Sequence, residues 1–287
     1  MKRILVPTDF SANSKAGLRF ALQCSSQEPL ELIFIHVVHI PRAIGWTDQQ
    51  FLDFIETEKK PWLQSLEKFV SGVFTHYGMA PTKSHCVVVE GFSADLAILE
   101  YCENHRGIDL ICMGTAGAGG LRTIIGTHTG NLITKSKIPV IAVPSTYRIK
   151  PITELLYATD LHDYKNELQR IATLAHQWKA AMDIIHFTWP DEILADRELI
   201  EAAMKKQFNA PLKLHFKQRD PKYSLIQNLQ KEIEKLKPSI AIMFTDQDRN
   251  FLQKLILPSK AEQLSFHLTT PLLVFRKNHQ HPHLSSQ

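Results

Sequence analysis

Three groups of residues in this chain have types and spacing that could do chemistry. The densest is the stretch 113–132, MGTAGAGGLRTIIGTHTGNL, which holds six of the twelve glycines in 287 residues. Glycines bunched behind an apolar run let backbone N–H groups approach an anion. Threonines at 127 and 129 add hydroxyls where a helix would begin. The second group is Asp9 and Asp160, each closing a short apolar run in a matching context, PTDF and ATDL. The third is histidine: His36 and His186 lie in apolar runs, and His279, His281 and His283 alternate near the end.

Each group narrows on inspection. A Walker A loop fails when counted from Gly114, which puts Gly120 at the lysine, and from Gly117, which meets Arg122. A dinucleotide fingerprint from Gly117 also meets Arg122 where its last glycine belongs. What fits is Gly114 ending a strand, Gly117 after two intervening residues, and Gly126–Thr127 opening a helix whose unpaired N–H groups and positive dipole end favour an anion. Asp9 would share that crevice, although its twin Asp160 also suggests a capping duty. His36 and His186 read as hydrogen-bonded core histidines. His36 and His39 would face opposite sides of a strand and make a poor metal pair. The tail histidines read as part of a solvated terminus. There is no G-x-S-x-G elbow and no defensible Cys–His pair. Asp9 is the one carboxylate placed near the loop, so binding is expected, with turnover slow or absent.

The elements that must position these residues alternate. Apolar runs at 3–9, 30–38, 85–91, 108–114 and 138–144 read as strands, and helical periodicity fills 14–25, 48–77, 93–105 and 127–136. Continuous apolar strands joined by helical crossovers imply a parallel sheet covered on both faces. The order then recurs: LLYATDL (155–161) echoes ILVPTDF (4–10), IIHFT (184–188) echoes FIHVV (34–38), SIAIMFT (239–245) echoes DLICMGT (109–115), and TPLLVF (270–275) echoes IPVIAV (138–143). The chain thus reads as two copies of one α/β domain, residues 1–147 and 151–277, with 278–287 as a flexible tail.

Composition bounds the rest. Charged residues make up 22 % and the formal net charge is +4 without like-charge blocks, which argues against a nucleic-acid surface. The apolar start MKRILVP breaks at Pro7, too early for a signal peptide, and no run approaches a membrane span. Cys24, Cys86, Cys102 and Cys112 are scattered and read as reduced core thiols. A soluble cytoplasmic protein is expected.

Three stretches, ILVPTDFSANSKAGLRFAL, IFIHVV and MGTAGAGGLRTIIGTHTGNLITKSKIPVIAVP, resemble the universal stress protein family, and the whole chain resembles its tandem two-domain form. The resemblance implies two Rossmann-like domains of the adenine nucleotide alpha hydrolase-like class, each an open five-stranded parallel sheet in order 3-2-1-4-5. It also implies ATP or another adenine nucleotide as ligand, with Mg2+ as an optional companion. By motif, Pro7, Thr8 and Asp9 would line the adenosine side with Val37 against the base. Met113, Gly114 and Gly117 would meet ribose and phosphate, and Gly126, Thr127, His128 and Thr129 would hold the phosphates.

Eight residues separate Gly117 from Gly126, one fewer than the family's G-x-x-G-(nine residues)-G-[ST] pattern. In the second copy Phe244 replaces Gly114, Asp246 and Asp248 add charge, and Pro258–Ser259 stand at Gly126–Thr127. That copy is expected not to bind nucleotide, because ring and carboxylates would stand where phosphate packs. The resulting expectation is a stress-response protein that binds ATP in its first domain and acts through conformation or partners. The alternatives are a nucleotide-independent interaction module and a slow ATPase. The halves are expected to pair through their fifth strands, and a homodimer is a further option.

Overall fold

The computed structural model describes residues 1–81, 83–115, 127–188, 197–208, 212–245 and 269–277. The first half alternates β1 (Arg3–Pro7), α1 (Ser14–Gln27), β2 (Glu31–Val38), α2 (Asp48–Tyr77), β3 (Lys83–Glu90), α3 (Ala94–Asn104), β4 (Leu110–Thr115), α4 (Thr127–Lys135) and β5 (Val140–Pro144). The second half continues with β6 (Glu154–Thr159), α5 (Tyr164–Trp178), β7 (Ala181–Thr188), α6 (Arg197–Phe208), β8 (Leu212–Gln218), α7 (Leu225–Leu236), β9 (Ile240–Thr245) and β10 (Leu272–Arg276).

All ten strands form one sheet in order β3-β2-β1-β4-β5-β10-β9-β6-β7-β8. Each half therefore has the expected 3-2-1-4-5 order, its neighbours parallel as crossover helices require. The halves meet through an antiparallel ladder of β5 and β10, pairing Ala142 with Leu272, Ile141 with Leu273 and Val140 with Val274. Ile141 and Leu273 are equivalent positions of the repeat, so a pseudo-twofold axis passes through that pair. The ladder removes two open strand edges.

Sequence equivalences agree with strand register. Gly114 lies beside Val143, and Phe244 beside Phe275, at matching places in their halves. Leu5, Ile35, Ile111 and their counterparts are buried because both sheet faces are covered by helices. Helices α1, α2 and α5 cover one core and α3, α4 and α7 the other. Helix α1 rides unusually close to β4. Its Gly17 faces the backbone of Gly114, where an added Cβ would lie 3.0 Å from the Gly114 nitrogen. The second half has Leu168 and Phe244 at these two positions, and α5 makes no comparable approach to β9 among the described residues.

Candidate functional site

A cleft of about 260 Å³ opens at the C-terminal ends of β1 and β4. In an open sheet of this order these two strands form the switch point, since their crossovers leave in opposite directions and part the loops. Eight of the residues singled out in the sequence line it: Pro7, Thr8, Asp9, His36, Val37, Met113, Gly114 and His128. Thr129 is buried in α4 at 3 % exposure and does not line it. Gly117 and Gly126 lie outside the described residues, and Thr127 is placed only as the first residue of α4. Ser11, Asn13, Ser14, Ala94 and Ile98 also line the cleft, though none was singled out from the sequence.

The β1–α1 corner is built by local hydrogen bonds. The Asp9 carboxylate accepts from the Ser11 N–H at 3.0 Å, and the Thr8 hydroxyl accepts from the Phe10 N–H at 3.2 Å. Phe10 adopts φ 63°, a left-handed conformation these contacts hold in place. The second half repeats the corner: Asp160 accepts from His162, Thr159 from Leu161, and Leu161 has φ 64°. Asp9 therefore has a turn-forming duty in both copies, whatever else it does. Burial tends to raise its carboxyl, but hydrogen bonds centred on Ser11 outweigh this and hold it below the ordinary aspartate value.

The two corners differ in charge. Asp160 is paired with the Lys277 ammonium at 2.7 Å, which also lies 3.7 Å from buried Glu167. Among the described residues, no lysine or arginine pairs with Asp9 or lines the cleft.

His36 and His186 are core residues, as their apolar setting predicts. Each is buried, with Nδ1 2.8 Å from the Thr8 carbonyl and 2.9 Å from the Thr159 carbonyl respectively. The four cysteines are free thiols. Burial pushes Cys86 up to about 11 and Cys102 up to about 12, so neither is a ready nucleophile.

The far wall carries a side chain that the sequence reading passed over. Asp95, in the first turn of α3, is 2 % exposed and accepts from His128 Nδ1 and Asn131 Nδ2, each at 2.9 Å, and from the Ser93 hydroxyl. Burial alone would raise its carboxyl, yet these bonds from Ser93, His128 and Asn131 bring it to about 2. Ser93 stands at the N-cap of α3, but its hydroxyl makes no cap bond and serves Asp95 instead. Asp95 thus fixes the first turn of α4 and presents His128 to the cleft. An acidic residue just inside a helix start was the signal available for it.

Gly114 closes the site from below. A Cβ there would lie 2.0 Å from the Asn13 carbonyl oxygen, an impossible contact. In the second half the Phe244 ring does not project into a phosphate position as expected. It stacks on Phe275 at 4.8 Å, meets Tyr157, and lies beneath the Arg170 guanidinium on the α5 face. The steric change therefore acts on the approach of the first helix to its strand. Asp246, Asp248, Pro258 and Ser259 fall outside the described residues. Helix α2, which carries Trp62 against Phe10 and His36, extends the core on the α1 face and supplies no cleft-lining residue.

Comparisons with known proteins agree with this architecture. The universal stress protein family model matches residues 1–144. One universal stress protein of Methanocaldococcus jannaschii is 29% identical over 143 residues, spanning 50% of this chain and 81% of that protein. A second from the same organism is 24% identical over 161 residues, spanning 50% and 94%. Across nearly the whole chain, the crystal structure of a universal stress protein from Archaeoglobus fulgidus aligns with a TM-score of 0.71 at 17% identity, covering 96% of this chain and 98% of that one. A putative universal stress protein from Pseudomonas aeruginosa aligns with a TM-score of 0.54 at 15% identity, covering 96% and 93%. Both structural matches show a shared fold. No helix among the described residues is long and apolar enough to cross a membrane.

Proposed function

The chain belongs to the universal stress protein family, and from that premise we propose that its first half binds one adenine nucleotide, ATP foremost, in the cleft between β1 and β4. The observation that carries this reading is the composition of that cleft. Val37, Ile98 and Met113 give an apolar wall suited to a base, while Asp9 and the first turn of α4 stand at the polar side. An ionised Asp9 repels phosphate but accepts from ribose hydroxyls or an exocyclic amine, so the adenosine end belongs beside it. The phosphates belong at the start of α4, where the first-turn N–H groups and His128 would meet them, with no lysine or arginine among the described residues of the cleft.

Residues 1–147 act as the binding unit and residues 151–277 as its paired, nucleotide-free partner. The Asp160–Lys277 ion pair supports that division, since the second copy has already spent its corner carboxylate internally. Output in stress response then comes from a bound and an unbound state that partners distinguish, as differential affinity requires. Native mass spectrometry of freshly purified protein tests the reading. One adenine nucleotide per chain is expected. A bare chain mass, with no thermal shift in millimolar ATP–Mg, would leave the nucleotide-independent interaction module in its place.

A further inference from the structure

Asp95 is a charge buried at a place where the other copy of the repeat uses an apolar side chain. Ser93 and Asp95 at the start of α3 correspond to Ser224 and Ile226 at the start of α7. In the second half Ile226 is 6 % exposed, and Ser224 closes a capping box with Gln227. In the first half the same place holds a carboxylate, and the Ser93 hydroxyl leaves its cap position to serve it. Taking a carboxylate out of water is costly even when it is well hydrogen-bonded, and an apolar side chain fills such a site at no loss of stability. The charge therefore serves something the second half lacks.

What it serves is His128. Asp95 Oδ1 lies 2.9 Å from His128 Nδ1, while Oδ2 accepts from Asn131. An ionised carboxylate at Nδ1 keeps the ring proton on that nitrogen, so the neutral ring carries its lone pair on Nε2. The Nδ1 edge rests on a buried group, and the exposed 58 % of this side chain is therefore the edge that carries Nε2. His128 lines the cleft, and Nε2 makes no hydrogen bond among the described residues. In the second copy Lys260 follows Pro258–Ser259 at the place of His128, so carboxylate and imidazole are missing together.

We propose that His128 is a phosphoryl acceptor: ATP bound in the cleft transfers its γ-phosphoryl group to Nε2, leaving ADP and a phosphohistidine. This rests on the nucleotide reading above, which puts the phosphates at the start of α4. The Nε2 lone pair forms the N–P bond as the bond from the γ-phosphorus to the β–γ bridging oxygen breaks, and that electron pair leaves on ADP. The ring then carries a positive charge, with its proton on Nδ1 facing the Asp95 carboxylate. Asp95 is the positioning residue, since it aims Nε2 and offsets the charge that develops on the ring.

The full chain with ATP–Mg radiolabelled at the γ-phosphorus provides the test, with calorimetric titration of the β,γ-imido analogue of ATP in parallel. One label per chain is expected, stable in alkali, lost in mild acid and assigned to Nε2 of His128 by phosphorus NMR. His128→Gln should carry none. Asp95→Asn, with circular dichroism unchanged, should label roughly tenfold more slowly. Its His128 should also shift toward the Nε2–H tautomer in ring-nitrogen NMR, which a merely structural role would not produce. Binding of the analogue by the parent without any label overturns the proposal and leaves the nucleotide reading standing. Neither binding nor label overturns both. An acid-stable label, as on the Ser11 or Ser14 hydroxyl, a label that persists in His128→Gln, or one delivered only from the α-phosphorus overturns it as well. Equal labelling rates in the parent and Asp95→Asn would overturn the positioning role.

Discussion

Asp9, Asp95 and Gly114 show how much of the site belongs to single residues. Gly114 is glycine because the Asn13 carbonyl occupies the space of a side chain. Gly114→Ala should therefore destabilise the chain by about 3 kcal/mol through forced movement of the β1–α1 corner, read as a lowered urea midpoint with an unchanged m-value. Asp95 carries a pH signature. Its folded carboxyl sits at about 2, below the unfolded value. Its stabilisation is thus complete above the unfolded value near 4, and is lost as pH falls through about 2. Asp95→Asn should be less stable than the parent by about 2 kcal/mol at neutral pH, and that gap should close toward pH 2 in paired denaturation curves. A gap that stays constant with pH would deny the carboxylate this role. Asp9 was legible in the sequence because it repeats. Asp95 was not, because its importance depends on Ser93, His128 and Asn131, brought together from two helices.

At the scale of elements, strands and helices could be placed from apolar runs and periodicity, since strands covered on both faces leave an unbroken hydrophobic record. Helix placement on the sheet could not. The close seat of α1 on β4 rests on Gly17 facing Gly114, and the second half changes both positions together, to Leu168 and Phe244. Read in one dimension, Phe244 looked like a plug for a phosphate site. In the structure it is a wedge under α5, stacked on Phe275. The connector is likewise an element with its own anchor, the buried guanidinium of Arg19 holding the Ser145 and Tyr147 carbonyls. Arg19→Met leaves both carbonyls without that donor and should cost about 2–3 kcal/mol. Limited proteolysis should then cut the 145–153 connector faster than in the parent.

The whole molecule is organised by its β5–β10 ladder, which joins ten strands into one sheet. A continuous sheet with shared cores makes the halves unfold together. Tryptophan fluorescence and far-ultraviolet circular dichroism should give coincident urea transitions, and two separated transitions would count against this coupling. The repeat announced the two halves and their internal strand order from sequence alone. Register across the ladder was not legible, because Val140–Val143 and Leu272–Phe275 are uniformly apolar and many alignments satisfy them equally. The central claim is that one half of this paired molecule holds nucleotide and the other does not. Isothermal titration of ATP–Mg into the full chain and two cleft-filling variants tests it most directly. Ala94→Trp occupies the first-half cleft at the start of α3, and Leu225→Trp occupies the equivalent start of α7. The account predicts one site per chain, abolished by Ala94→Trp and unchanged by Leu225→Trp. Two sites in the parent, or a single site lost only in Leu225→Trp, would contradict it.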